Sequence, residues 1–110
     1  MAQLSRRHFG LASAGILSAG AAHAQTPPRP SKTFVLVHGA WHGGWCWKLV
    51  RDILTAQGHH VFTPTLTGLG ERSHLLSRDI TLKTHIEDVI NVFAFEDLKE
   101  VCLVGHSYGG

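Results

Sequence analysis

The feature that most constrains this sequence is a serine between two glycines, placed directly after an apolar run. The run is Val101-Cys102-Leu103-Val104, and Gly105-His106-Ser107-Tyr108-Gly109-Gly110 follows it without interruption. A Gly-x-Ser-x-Gly sequence after a strand is typical of a sharp strand-to-helix turn, which lifts the serine hydroxyl above the edge of a sheet. Side chains two residues before and after the serine would collide in that turn. Both of these positions therefore need glycine, as they have here.

Short apolar runs and helical periodicities alternate through residues 33–110. Strands are predicted where β-forming apolar residues run together, at Thr33–Val37, His60–Thr63 and Val101–Val104. Helices are predicted where apolar residues recur at helical spacing, at Trp45–Gln57 and from a capping box at Thr84–Glu87 to near Phe95. The alternation predicts an α/β fold, a parallel sheet with flanking helices, in which the third strand is buried.

A second segment with possible chemistry, His38-Gly39-Ala40-Trp41, follows the first predicted strand. An acyl-transfer enzyme needs two preorganised N–H donors aimed at the developing oxyanion. In the architecture that the serine turn indicates, one donor is the residue after the nucleophile and the other lies in the loop after an earlier strand. The predicted donors are therefore the N–H groups of Tyr108 and Ala40. Trp41 is expected to line the acyl pocket.

Cofactor and metal sites are not predicted. His38 and His42 lack a third ligand, and the Gly68-Leu69-Gly70 segment has Ser73 where a dinucleotide-binding motif has its third glycine. Two cysteines are too few for a disulfide scaffold, and Cys46 and Cys102 are expected to be independent buried thiols. The sequence also gives no basis for predicting an oligomeric state.

Three segments resemble the α/β-hydrolase superfamily and, within it, the methylesterase and hydroxynitrile-lyase group: Phe34–Trp45, Gly58–Val61 and Gly105–Gly110. The resemblance covers residues 33–110, and the loop 66–74 looks like that of bacterial members. It implies a serine carboxylesterase that acts on small, methyl-type carboxylic esters through an acyl-enzyme, with Ser107 as nucleophile. Lyase members carry threonine where this chain has Gly39, which disfavours lyase activity. Thr65 stands where many hydrolases place aspartate.

The predicted site lacks its general base. In this architecture the orienting acid and the histidine follow the nucleophile in the chain, and only three residues follow Ser107. The catalytic Asp and His are therefore not present in this chain, which is expected to be the N-terminal part of the fold, truncated after the nucleophile elbow. An inactive fragment, or a non-catalytic ligand-binding remnant with unpaired sheet edges, is the alternative.

The first 24 residues are predicted to be an export signal of the twin-arginine type. Arg6 and Arg7 precede an uncharged Ala-, Gly- and Leu-rich stretch, which ends in the small-x-small sequence Ala22-His23-Ala24. The stretch is too short and too weakly apolar for a stable membrane span, although an uncleaved tether is the alternative to cleavage. A proline-rich linker at 25–32 follows, and the hydrolase-like segment occupies 33–110. A periplasmic or secreted bacterial protein is expected.

The export signal also explains the charge of the chain. The sequence has 10 Lys and Arg against 8 Asp and Glu, a formal net charge of +2, and Arg6 and Arg7 account for the excess. The rest of the chain is neutral, so no nucleic-acid partner is predicted. The expected partner is a small-molecule ester substrate.

Overall fold

The computed structural model describes residues 30–110, in which three parallel strands form one sheet. The predicted export signal at 1–24 and most of the linker at 25–32 lie outside the described residues. The strands are β1 (Thr33–Val37), β2 (His60–Phe62) and β3 (Val101–Gly105), and their spatial order is β2-β1-β3. The parallel sheet that the sequence predicted is confirmed.

The core is centred on β1, because this strand is paired along both edges. Thr33 is in register with His60 of β2 and with Val101 of β3. Val35, Leu36 and Val37 are almost completely buried, as a continuous apolar strand between two neighbours requires. Leu66, in the segment after β2, completes this core.

Helix α1 (Lys48–Ala56) connects β1 to β2 and is preceded by a 3-10 turn at Gly44–Trp47. The helix predicted at Trp45–Gln57 is therefore an α-helix only from Lys48 onwards. It ends in a Schellman motif, in which the N–H of Gly58 bonds to Thr55 O and that of His59 bonds to Leu54 O. Gly58 has a φ of 89°, which glycine adopts without strain and which returns the chain towards β2.

Helix α2 (Leu82–Phe95) connects β2 to β3 and ends where the sequence predicted, but it begins earlier. The capping box predicted at Thr84–Glu87 is wrong, because Thr81 is the N-cap and Thr84 is the third helical residue. The Thr84 hydroxyl accepts a hydrogen bond from the Thr81 N–H at 3.1 Å. A threonine thus does what the glutamate of an ordinary capping box does.

Strand β3 is not buried as predicted: Cys102 and Leu103 are exposed, because β3 has a neighbour on only one edge. Cys46 and Cys102 are free, as expected, but both are exposed and not buried. Desolvation nevertheless raises the pKa of the Cys46 thiol. Within residues 30–110, no helix has the length and apolar character that crossing a membrane requires.

Candidate active site

Ser107 lies at the sharp turn that ends β3. Its φ of 55° is in the left-handed region, which an L-residue other than glycine, asparagine or aspartate enters at a cost. A 3-10 turn at Ser107–Gly109 holds it there, with the Gly109 N–H bonded to His106 O at 3.0 Å. The His106 N–H bonds to Val37 O at 3.1 Å, which joins the turn to the end of β1. The predicted nucleophile therefore has a strained backbone, as do Trp41 and Glu100, and Asp97 also has a positive φ.

The glycines on either side of Ser107 have no room for a side chain. A Cβ on Gly105 would collide with the backbone of Gly109. A Cβ on Gly109 would lie 2.6 Å from His38 O and 2.7 Å from Val37 O. All of these obstacles are backbone atoms, which cannot move without distorting the sheet. The steric requirement predicted for the Gly-x-Ser-x-Gly spacing is therefore confirmed.

The loop after β1 lies against this turn. A Cβ placed on Gly39 would be 3.1 Å from His106 O and 3.2 Å from Ser107 Cβ, so the Gly39 backbone packs directly on the serine. Ala40 is the next residue. Among residues 30–110, no backbone hydrogen bond is donated by the N–H of Ala40 or of Tyr108. The structure thus brings the loop of one predicted oxyanion donor next to the turn that carries the other.

Like the other predicted site residues Ala40, Ser107 and Tyr108, Trp41 is exposed. Its side chain is 94% exposed, and its backbone has a φ of 68°. Its role as a lining residue of an acyl pocket stays a prediction.

His38 is a structural residue of the loop after β1. It is completely buried; the Leu66 N–H donates to its Nε2 at 3.0 Å, and its Nδ1 lies 2.8 Å from Gly39 O. Because an N–H can only donate and a carbonyl can only accept, Nδ1 carries the proton. Both ring nitrogens are therefore occupied by backbone groups. No group of three or more potential ligands among residues 30–110 could hold a metal ion.

Thr65, at the position where many hydrolases place aspartate, is buried and forms the centre of a partly buried hydrogen-bond network. Its Oγ1 accepts a hydrogen bond from the Gly44 N–H at 2.8 Å and donates to both Glu71 carboxylate oxygens at 2.9 Å. The Arg72 guanidinium donates to Thr65 O at 2.9 Å. Glu71 thus places a carboxylate next to Thr65, which stands at the position where many hydrolases have aspartate. Thr65 links the loops after β1 and β2.

Thr65→Val is expected to lower the free energy of unfolding by about 1–3 kcal/mol, because it leaves the buried Gly44 N–H without an acceptor. Valine keeps the shape of threonine, so the loss comes from hydrogen bonds and not from packing. Urea unfolding of both proteins measures the change, and Thr63→Val, at a half-buried position two residues earlier, serves as the control. If Thr65→Val has the same free energy of unfolding as the parent, the hydrogen bonds of Thr65 do not stabilise the protein.

His85 lies beside the serine turn, a placement that was not predicted from the sequence. Its Nδ1 lies 2.8 Å from Tyr108 Oη and its Nε2 2.9 Å from Thr67 O, so it bridges the serine turn and the loop after β2. The only available signal was its spacing: His85 and Asp88 are three residues apart and therefore lie on one face of α2.

An apolar cavity of about 330 Å³ adjoins Tyr108 and Gly109. The apolar stripe of α2 that the sequence predicted forms one of its walls, through Ile86, Val89, Ile90 and Phe93. His85 and Tyr108 supply polar atoms at its margin. The apolar side chains of α2 therefore line an open cavity beside the serine turn.

Three parallel strands with intervening helices, and a strained serine between two obligatory glycines, define the class of α/β proteins with a nucleophile elbow. The model of the alpha/beta hydrolase family matches residues 34–110. The chain belongs to this family.

The chain is also similar to individual characterised proteins. It is 57% identical over 77 residues to a carbendazim hydrolyzing esterase of Nocardioides sp. (strain SG-4G), with coverage of 70% of this chain and 32% of the esterase. It is 38% identical over 78 residues to methylesterase 8 of Arabidopsis thaliana, covering 70% and 29% of the two chains.

A solved structure gives the same picture. An extracellular alpha/beta-hydrolase from a Paenibacillus species, described as sharing structural and functional homology with Tobacco Salicylic Acid Binding Protein 2, superposes with a TM-score of 0.64 at 33% identity. The match covers 71% of this chain and 31% of that structure. The present chain thus spans about a third of the length of the relatives it matches.

Proposed function

We propose that the protein is a serine carboxylesterase in which Ser107 is the nucleophile. The observation that carries this proposal is the strained Ser107 backbone, held between two glycines that cannot carry a side chain and packed against the Gly39–Ala40 loop. Strain of this kind is retained where the surrounding structure over-determines it, and such positions cluster at active sites. The family membership and the esterase relatives support the same reaction class.

The proposed reaction proceeds through an acyl-enzyme. Ser107 Oγ attacks the ester carbonyl carbon while a general base takes the hydroxyl proton, and the carbonyl oxygen becomes an oxyanion. The N–H groups of Ala40 and Tyr108 hold that oxyanion. The C–O bond to the alcohol then breaks as the base returns the proton to the leaving group. Water, activated by the same base, hydrolyses the acyl-enzyme.

The base and its orienting acid are proposed to lie after Gly110 in the full protein, because in this architecture they follow the nucleophile in the chain. His38, the buried histidine of the loop after β1, is not a candidate for the base. Both of its ring nitrogens are bonded to backbone groups.

The proposed substrates are small carboxylic esters with a small alcohol group, methyl esters above all. The methylesterase relatives support this class. Carbendazim is a further candidate, because it gives its name to the relative that is 57% identical. Hydroxynitrile-lyase activity is not proposed: the Gly39 backbone packs on Ser107 and offers no hydroxyl there.

A fluorophosphonate probe tests the proposal directly. In the full-length gene product, the probe is expected to label Ser107, as located by mass spectrometry of the labelled peptide. The same preparation is expected to hydrolyse p-nitrophenyl acetate. A heat-denatured sample, which retains the serine but loses its activation, is the control and should stay unlabelled.

A folded sample without labelling at Ser107 would contradict the proposal and favour the non-catalytic alternative. Circular dichroism on the same preparation establishes folding. If the probe labels Ser107 but the protein hydrolyses neither methyl esters nor carbendazim, the proposal that Ser107 is the nucleophile stands. The proposed substrate class is then wrong.

We further propose that the protein is exported, to the periplasm or the medium, after cleavage near Ala24. Arg6 and Arg7, the uncharged stretch and the Ala22-His23-Ala24 sequence support this proposal. The extracellular Paenibacillus relative supports the same location.

A further inference from the structure

His85 holds the side chain of the residue that follows the predicted nucleophile. Its Nδ1 is 2.8 Å from the Tyr108 hydroxyl, and the two rings pack edge to face with centroids 5.6 Å apart. Tyr108 itself is 42% exposed and belongs to a turn of only three residues. A side chain in such a position is poorly restrained by packing alone. The hydrogen bond to α2 is therefore a specific restraint on it.

The second contact of His85 defines the direction of this bond. Its Nε2 lies 2.9 Å from Thr67 O, and a carbonyl oxygen only accepts, so Nε2 carries a proton. In the neutral imidazole Nδ1 is then an acceptor, and Tyr108 Oη donates to it. Each ring nitrogen of His85 is therefore bonded to a different segment: Nδ1 to the serine turn and Nε2 to the loop after β2.

Thr67 is in turn fixed by the same helix. Its N–H donates to Asp88 Oδ2 at 2.6 Å and its hydroxyl to Asp88 Oδ1 at 2.7 Å. Asp88 thus binds the N–H and the hydroxyl of Thr67, while His85 binds its carbonyl oxygen. The three hydrogen bonds make α2 and the loop after β2 a rigid support, from which the His85 ring reaches Tyr108.

We propose that His85 is a positioning residue of the ester hydrolase: through the Tyr108 hydroxyl it fixes the orientation of the Tyr108 peptide, whose N–H stabilises the oxyanion beside Ser107. This inference rests on the proposed function. It extends the site by a residue on α2 that touches no reacting atom. Asp88 and Thr67 complete the support.

A double-mutant cycle in the full-length gene product tests the proposal. His85→Leu and Tyr108→Phe are each expected to lower the rate of fluorophosphonate labelling at Ser107 about tenfold, since a small misplacement of a catalytic group costs up to about a hundredfold. The double variant is expected to react no more slowly than either single variant, because both changes remove one interaction. His85→Gln, which can still accept and donate, is expected to recover most of the rate.

Lys83→Gln is the matched control, since Lys83 is exposed on the same helix and pairs only with Glu87 within the described residues. It should label at the parent rate. A merely structural role of His85 would lower the melting temperature and leave the labelling rate per folded molecule unchanged. That result, or losses that multiply in the double variant, would overturn the proposal.

Nuclear magnetic resonance separates this proposal from the proposed function. In the parent protein, the His85 imidazole should carry its proton on Nε2, and the Tyr108 backbone amide signal should shift in His85→Leu but not in Lys83→Gln. If Ser107 of the folded parent is never labelled, the proposed function fails. These spectra then decide by themselves whether His85 orients the Tyr108 peptide. An unmoved Tyr108 amide signal disproves it.

Discussion

Ser107→Ala is expected to lower kcat for ester hydrolysis about 10⁴-fold or more, and to leave the free energy of unfolding almost unchanged. The reaction loses its nucleophile, and only the oxyanion donors and substrate binding remain. The fold keeps its contacts, because Ser107 is exposed and alanine pays the same backbone cost at a φ of 55°. Steady-state kinetics and urea unfolding of the full-length gene product measure the two effects separately.

Ser107→Gly sharpens this prediction. Glycine removes the same hydroxyl, but it also enters the left-handed region without steric cost, and a strained residue there costs about 1–3 kcal/mol. After subtraction of the extra entropy of glycine in the unfolded chain, the variant should be about 0.5–1 kcal/mol more stable than the parent. The backbone at position 107 would then lower the stability of the protein, while the serine hydroxyl at the same position supplies the proposed activity. A glycine variant less stable than the alanine variant would contradict the strain at Ser107.

Gly109→Ala is expected to destabilise the protein by about 3 kcal/mol or more, the cost of forcing a methyl group into a filled space. The methyl carbon would lie 2.6 Å from His38 O and 2.7 Å from Val37 O. Relief would require β1 and the serine turn to separate, and that change breaks the hydrogen bond between His106 and Val37. Since domains are stable by only about 5–15 kcal/mol, the variant should lose roughly a fifth to three fifths of its free energy of unfolding.

Gly110→Ala is the matched control for this prediction. Within residues 30–110, a Cβ there meets only Ser107 O, at 3.2 Å, and the expected cost is below about 1 kcal/mol. The midpoints of guanidinium unfolding for the two variants measure the contrast. Equal midpoints would mean that the turn can relax around a side chain, and the steric explanation of the motif would fail.

Much of the fold could be predicted from the sequence, because its signals are local. The apolar run at Thr33–Val37 coincides with β1, and the Gly-x-Ser-x-Gly spacing led to the strained turn. The start of α2 was misplaced because Thr81 and Thr84 are both good cap residues, and only the observed hydrogen bond distinguishes them. The burial of β3 was overestimated because it depends on neighbours, which an apolar run does not reveal.

The candidate site was only half predictable, for a different reason. His85 and Tyr108 are 23 positions apart, and nothing in either local sequence indicates that they meet. Glu71 is likewise an ordinary loop carboxylate until Thr65 is seen to bind it. Such pairs arise from the packing of α2 and the loops against the sheet. Periodicity and motif spacing cannot report them.

The strand order β2-β1-β3 has a consequence for synthesis on the ribosome. Of the three strands among residues 30–110, β1 leaves the exit tunnel first, so β2 and β3 can each pair with a strand that has already been synthesised. The hydrogen bond between the Leu66 N–H and His38 Nε2 can fix the loop after β1 while β3 is still being translated. Because chains fold from the N-terminal side as they emerge, the serine turn is added after β1, β2 and the loops that follow them. The order of the strands thus allows β1 and the loop after it to fold before Ser107 has been synthesised.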